Sequence, residues 1–100
     1  YDSYHHIVNL SNPEGNPRIY SIVGYICETD TLGWDRKLHE VREGDILAIC
    51  NAGAYGFTMS NNYNARPRPA EVLIWEGSAK LIRKEESETD LTKNVIDLGF

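Results

Sequence analysis

The chain has 100 residues, of which 41% are hydrophobic and 25% are charged, and its formal net charge at pH 7 is -5. This predicts a single globular domain over residues 1–100, without the clustered basic face of a nucleic-acid-binding protein. No apolar run approaches the ~18 residues of a membrane helix, and the given sequence does not open with a charged region followed by an apolar one, the pattern of a signal peptide. Two isolated cysteines fit a reducing compartment, so we expect a cytoplasmic protein.

Short strands separated by turns are predicted in the first half of the chain. The first strand is expected from Tyr4 to Leu10, before a loop at 11–17 rich in proline and asparagine. The second, from Arg18 to Ile26, is apolar on both faces, which indicates a buried or paired strand. Residues 37–44 are polar and are expected to form a connection.

The next strands are predicted from apolar runs. Asp45 to Asn51 is nearly continuously apolar, so we expect it to be a central strand. Two further strands, 71–75 and 79–83, flank Glu76-Gly77-Ser78, and a three-residue link that contains glycine indicates a hairpin.

The tail, residues 87–98, is the one segment with helical periodicity. Leu91, Val95 and Leu98 share a helical stripe behind Thr89-Asp90 as a cap, which predicts a helix from Thr89. The chain as a whole is therefore expected to be all-β, a small and mostly antiparallel β-barrel or sandwich with a short C-terminal helix.

Few residues carry chemistry, and each has a structural interpretation. Cys27 lies between an apolar strand and the acidic Glu28, but free cysteine is usually buried, which favours an inert thiol. Cys50 lies in an apolar run and is expected in the core. Gly53 and Gly56 flank Tyr55, which indicates either a simple glycine turn or a tyrosine that presents its hydroxyl.

Other polar groups have weaker functional interpretations. Arg66 and Arg68 have the geometry to clamp a carboxylate, but their position before a strand favours a structural role. His5, His6 and His39 invite a metal site. Adjacent histidines on a strand point to opposite faces, however, so metal binding is disfavoured.

Two long motifs carry a family resemblance. Residues 53–73 read GAYGFTMSNNYNARPRPAEVL and closely resemble the signature GAYG, MSSNYN, RPRPAEVLV of diaminopimelate decarboxylases, which are pyridoxal-phosphate enzymes. Residues 23–38 resemble the family's GPxCESxDxL followed by xDRxL, and residues 1–7 resemble RPxLYxAYH without its arginine. The resemblance fades after Arg83, and it implies that the chain is a fragment of a longer polypeptide.

The resemblance implies an enzyme that converts meso-diaminopimelate to L-lysine and carbon dioxide in lysine biosynthesis. In this family Cys27 would donate a proton and Glu28 would hold the distal amino group of the substrate, both in the active site of a homodimer partner. Tyr55 would face pyridoxal phosphate and substrate, and Tyr1 would help to hold substrate carboxylate or phosphate groups. The Schiff-base lysine belongs to the family's N-terminal (β/α)8 barrel, so residues 1–100 alone are expected to be inactive.

Departures from the family pattern leave alternatives open. Tyr25 replaces the family's common proline, Thr29 replaces serine, and the loop after Cys27 is one residue shorter than in many relatives. The substrate is then open among diaminopimelate, ornithine, arginine and a carboxylated polyamine such as carboxynorspermidine, with Glu28 as the discriminating residue. A non-catalytic β-barrel dimerisation module is the second alternative.

Overall fold

The computed structural model describes residues 3–100, so the predicted substrate-binding residue Tyr1 lies outside the described residues. The described part has strands β1 (Ile7–Asn9), β2 (Pro17–Val23), β3 (Thr31–His39), β4 (Leu47–Ile49), β5 (Glu71–Trp75) and β6 (Ser78–Arg83), and helices α1 (Gly53–Gly56) and α2 (Glu88–Thr92), with a 3-10 turn at Tyr63–Ala65. Three two-stranded sheets pair β1 with β4, β2 with β3, and β5 with β6. All three pairs are antiparallel, so the prediction of a mostly antiparallel all-β chain is confirmed.

Two compact units make up the chain, one ending at Gly53 and the other beginning at Ala54. In the first unit, β1 pairs with β4 and also packs against β3. Gly33 on β3 makes this packing possible, because a Cβ there would lie 2.9 Å from Cδ1 of Ile7. Ile7 and Leu38, only 3% and 4% exposed, form the apolar core among the described residues.

The strand β3 corrects the prediction of a polar connection at 37–44. A β-bulge between β2 and β3 explains why the sequence pattern did not predict this strand. Tyr20 pairs with Arg36 but Ile22 pairs with Gly33, so two residues of β3 face one residue of β2, and Asp35 has a positive φ of 48°. The bulge resets the two-residue alternation, which buries both Gly33 and Leu38 although five positions separate them.

The other strands of the first unit are shorter than predicted. The first covers only Ile7–Asn9, and the second ends at Val23 instead of Ile26. The expected central strand at 45–51 is reduced to Leu47–Ile49, which pairs with β1 alone within residues 3–100. Cys50, expected in the core, is only half-buried.

A buried asparagine ties the first unit together. Asn9 is 4% exposed, and its Nδ2 donates to the carbonyl of Glu40 at 3.0 Å and to Oδ2 of Asp45 at 3.0 Å. Its Oδ1 accepts hydrogen bonds from the amides of Ser11 and Asn12, at 3.0 and 3.1 Å. The bond from Asn9 Nδ2 to Asp45, followed by that from the backbone amide of Arg42, lowers the pKa of the Asp45 carboxyl below its ordinary value.

Replacing Asn9 by alanine should therefore loosen the first unit. The variant leaves several polar groups without their partner, each costing about 1–3 kcal/mol when buried. We expect faster amide hydrogen exchange in β1 and β4, equivalent to a local loss of about 2 kcal/mol. The control is Asn16→Ala, because Asn16 is exposed and its backbone carbonyl, which accepts from the amide of Glu40, is retained. Equal exchange in the two variants would contradict the central role of Asn9.

The hairpin of the second unit follows the prediction closely. Val72, Leu73 and Ile74 pair with Leu81, Lys80 and Ala79, with a bulge next to Glu71. Its turn has two residues instead of three, because Ser78 already belongs to β6. Glu76 and Gly77 have φ values of 48° and 77°, the pair of positive angles that a tight type I′ turn requires.

The C-terminal helix is shorter than predicted and has a different cap. Ser87, not Thr89-Asp90, is the N-cap: its amide donates to Oδ2 of Asp90 at 2.8 Å, and its Oγ accepts from the amide of Asp90 at 3.3 Å. The helix ends at Thr92, and the predicted stripe residues Val95 and Leu98 are 73% and 72% exposed. Within residues 3–100, no helix has both the length and the apolar character needed to cross a bilayer.

Candidate functional site

The connection between β2 and β3 presents the thiol of Cys27. The amide of Gly24 donates to the carbonyl of Asp30 at 3.0 Å, directly beside the pairing of Val23 with Thr31, so the loop is closed at its base. Within this loop the Cys27 side chain is exposed. The interpretation of Cys27 as a buried, inert thiol is therefore wrong, since its strand ends four residues earlier.

The neighbouring carboxylate folds back onto the same loop. Glu28 is half-buried, and its Oε1 accepts a long hydrogen bond from the amide of Ile26 at 3.4 Å. Its side chain lies over Gly24, where a Cβ would come within 2.4 Å of Cγ and closer still to Oε1. The missing side chain at Gly24 thus makes room for Glu28, and the loop holds an exposed thiol next to a partly fixed carboxylate.

Substituting Gly24 by alanine should displace this carboxylate without unfolding the loop. Gly24 does not have a positive φ, so alanine suits its backbone and the free energy of unfolding should change by less than about 1 kcal/mol. A crystal structure of the variant should show the Glu28 side chain moved off residue 24. Gly53→Ala is the matched control, because a Cβ at Gly53 meets nothing within 4 Å. Glu28 in an unchanged position in the Gly24 variant would contradict this role of the glycine.

Tyr55 is presented by a short helical turn. It belongs to α1 and is 66% exposed, with its carbonyl accepting from the amide of Met59 at 3.1 Å. Oγ1 of Thr58 donates to the carbonyl of Ala54 at 3.1 Å, so the turn continues past Gly56. The turn thus leaves the Tyr55 side chain exposed. Tyr55 lies in the second unit, whereas Cys27 and Glu28 share a loop of the first.

The turn that carries Tyr55 is anchored by a residue for which the sequence predicted only a structural role. Nη2 of Arg68 donates to the carbonyl of Phe57 at 2.7 Å, and its Nε donates to Oγ of Ser60 at 2.9 Å. The guanidinium carbon lies 3.8 Å from the centroid of the Phe57 ring, and that of Arg83 lies 3.9 Å from the same centroid. Sequence periodicity carries no signal for such a cation–ring pair.

Glu86 holds the backbone of the same segment. It accepts hydrogen bonds from the amide of Arg68 at 2.6 Å and from Nδ2 of Asn62 at 2.8 Å. The bond from the Arg68 amide, followed by that from Asn62, lowers the pKa of the Glu86 carboxyl below its ordinary value. The charged form of this glutamate is therefore favoured in the folded protein.

The contribution of Glu86 to stability should depend on pH with a defined sign. Because its pKa is lowered on folding, the contribution is complete above the ordinary glutamate pKa and is lost as pH falls through the lowered value. The chemical shift of the Arg68 amide proton, followed by NMR, should report this titration. Glu86→Gln should abolish it, while the exposed neighbour variant Glu85→Gln should not. A transition at or above the ordinary glutamate pKa would contradict the assignment.

Two of the histidines considered for a metal bind backbone carbonyls instead. Nδ1 of His5 donates to the carbonyl of Cys50 at 3.0 Å, and Nδ1 of His39 donates to that of Gly15 at 2.6 Å. In residues 3–100, no group of three or more histidine, cysteine or acidic side chains is arranged to hold a metal ion.

The chain was compared with known protein families. Residues 1–53 match the family model described as pyridoxal-dependent decarboxylase, C-terminal sheet domain. The chain belongs to this family. It is 48% identical over 98% of its length to a diaminopimelate decarboxylase of Aquifex aeolicus, and 48% identical over 93% to one of Methanothermobacter thermautotrophicus.

Solved structures show the same relationship. A diaminopimelate decarboxylase from Methanocaldococcus jannaschii matches 97% of this chain with a TM-score of 0.86 and 45% sequence identity. A co-complex of that organism's enzyme with L-lysine matches with a TM-score of 0.84 and 44% identity. The chain spans 24% and 22% of the two curated relatives and 22% and 23% of the two solved chains, so it corresponds to about a quarter of their length.

The family name implies pyridoxal phosphate, and this chain offers part of a fitting site. The exposed phenol of Tyr55 supplies a flat ring and a hydroxyl, which suit a flat pyridine ring with polar substituents. Residues 3–100 contain no glycine-rich phosphate loop of the kind that cradles a phosphate group. Among the described residues, the Tyr55 side chain therefore fits a contributing role toward the cofactor.

Proposed function

We propose that residues 1–100 work as one C-terminal β domain of a pyridoxal-phosphate-dependent diaminopimelate decarboxylase, which forms L-lysine and carbon dioxide from meso-diaminopimelate. The single observation that carries this proposal is the 48% identity over 98% of the chain to a relative of that name. The loop with an exposed Cys27 beside Glu28 supports it, because this chemistry needs a proton donor and a group that recognises an ammonium.

The proposed enzyme is a cytoplasmic homodimer with an N-terminal (β/α)8 domain that holds the cofactor lysine. When bound, pyridoxal phosphate supplies the electron sink that makes loss of the carboxyl group feasible. In this proposal Tyr55 contacts cofactor and substrate, and Tyr1 helps to hold substrate. Cys27 and Glu28 act in the active site of the partner subunit.

The loop geometry supports these roles of Cys27 and Glu28. An exposed thiol on a closed loop is free to approach the carbon that has lost its carboxyl group and to give it a proton from one face, which fixes the configuration of the product. The Glu28 carboxylate, which is only partly buried, suits the distal ammonium of the substrate. The partial fixation of Glu28 over Gly24 lowers the entropy lost when that ammonium binds.

The substrate is tested by carbon dioxide release in the full-length protein with pyridoxal phosphate. We expect turnover of meso-diaminopimelate and much lower kcat/KM for L-ornithine and L-arginine. Preference for ornithine or arginine would overturn the substrate while leaving the fold and cofactor. No release from any of the three would favour a dimerisation module without decarboxylase chemistry.

The role of Cys27 is tested by its alanine variant in the same protein. Loss of a positioned proton donor typically costs about 10²–10⁴-fold, so we expect kcat to fall by roughly that factor. In D2O the lysine product should also lose the stereochemical purity of its new C–D bond, as measured by NMR. Cys50→Ala is the matched control, because its backbone hydrogen bonds with His5 and His6 are retained. Normal turnover and stereochemistry in the Cys27 variant would rule out this role.

A further inference from the structure

The turn that presents Tyr55 has an anchor of its own, separate from the residues that would touch substrate. Four contacts converge on Phe57 at the C-terminal end of this turn. The Phe57 carbonyl accepts hydrogen bonds from the Ser60 amide at 3.0 Å, from Oγ of Ser60, and from Nη2 of Arg68 at 2.7 Å. The guanidinium of the same Arg68 covers the Phe57 ring. The Tyr55 carbonyl accepts from the amide of Met59 in the same turn, so the position of Tyr55 is coupled to the C-terminal end of the turn, where Phe57 and Ser60 lie.

The chemistry of this anchor requires arginine. Its planar guanidinium stacks on a ring while its N–H groups donate in fixed directions, and here Nε and Nη2 reach two different acceptors. A lysine ammonium at the same position keeps the charge, but it cannot cover the ring face and donate along both directions at once. Arg68 is half-buried, so water competes only partly for these bonds.

Two further contacts fix Arg68 itself. Its amide donates to Glu86 at 2.6 Å, and its carbonyl accepts from the amide of Glu86 at 3.1 Å, so the backbone on which the guanidinium is mounted is held from both sides. On the opposite face of Phe57, Arg83 stacks on the ring and pairs with Glu71 at the end of the hairpin. The anchor thus joins the Tyr55 turn to β5 and β6 within the second unit.

We propose that Arg68 is a positioning residue that fixes, through Phe57 and Ser60, the turn presenting Tyr55 to cofactor and substrate. The catalytic part of this inference rests on the proposed function, whereas its structural part does not. Arg68 does not touch the reacting atoms; it acts by limiting the positions that the Tyr55 phenol can occupy.

The test compares Arg68→Lys with Arg18→Lys in the full-length protein. Arg18 is the matched control because its exposed ion pair with Glu40 can be kept by lysine. In the Arg68 variant we expect faster exchange of the Met59 and Ser60 amides, by about tenfold for a loss near 1.4 kcal/mol. We also expect weaker pyridoxal-phosphate binding by absorbance titration and a kcat/KM for meso-diaminopimelate reduced by roughly tenfold or more, with the melting temperature nearly unchanged.

The outcomes separate this inference from the proposed function. If the unsubstituted protein does not decarboxylate meso-diaminopimelate, the proposed function fails, while exchange and cofactor binding still decide the role of Arg68. Unchanged exchange, or faster exchange with cofactor binding and kcat/KM retained, would overturn the inference. A general fall in melting temperature with exchange raised throughout the second unit would show a purely structural role.

A second variant guards against a misfolded Arg68 protein. Phe57→Leu removes the ring under the guanidinium but keeps the Phe57 carbonyl, so it should weaken the anchor less than Arg68→Lys does. It should shift exchange at Met59 and Ser60 in the same direction. Exchange equal to that of the unsubstituted protein would show that the stacking contributes nothing to holding the turn.

Discussion

The Asn9 side chain is the constraint on which the first unit depends. An asparagine amide both donates and accepts, and at 4% exposure every bond that it makes replaces one to water. Its donors hold the chain after β3 and the turn before β4, while its oxygen holds the chain after β1. One residue at the end of a three-residue strand thus fixes both the connection after β1 and the connection between β3 and β4. With only two deeply buried apolar side chains among the described residues, such a polar junction carries unusual weight.

Sequence patterns predicted the hairpin because everything that defines it is local. Two apolar runs and the Glu76-Gly77 turn lie within 13 positions, and the structure keeps both strands nearly at their predicted limits. The strand β3 was missed because a bulge at Asp35 breaks its alternation, and the bulge depends on the partner strand, where Oγ of Ser21 accepts from the Asp35 amide at 3.2 Å. The C-terminal helix is shorter than predicted for a related reason: a helical stripe stabilises a helix only when it is packed, and Val95 and Leu98 are exposed.

At the candidate site, too, sequence motifs identified the residues, whereas their exposure and partners depend on the folded structure. The motifs pointed to Cys27, Glu28 and Tyr55, but residue types alone favoured a buried thiol, because burial depends on where a strand ends. That end is set by the closure of the loop between Gly24 and Asp30, a contact that no periodicity reveals. Arg68 could be assigned only a general structural role, since its partners Phe57 and Ser60 are identified by geometry and not by spacing.

The exposed apolar surface of the hairpin bears on how residues 1–100 would function. Val72, Ile74 and Leu81 are each more than half exposed, and an isolated two-stranded hairpin is marginally stable in water. Hydrophobic burial therefore contributes little to the second unit among the described residues, which leaves its local order to the arginine–phenylalanine stack, the tight turn and the Glu86 bonds. Such directed contacts define the position of a turn more narrowly than apolar packing does, because each has a preferred angle as well as a distance. A domain that contributes single side chains to a site completed elsewhere needs that kind of order, and this agrees with the proposal that residues 1–100 act within a longer polypeptide.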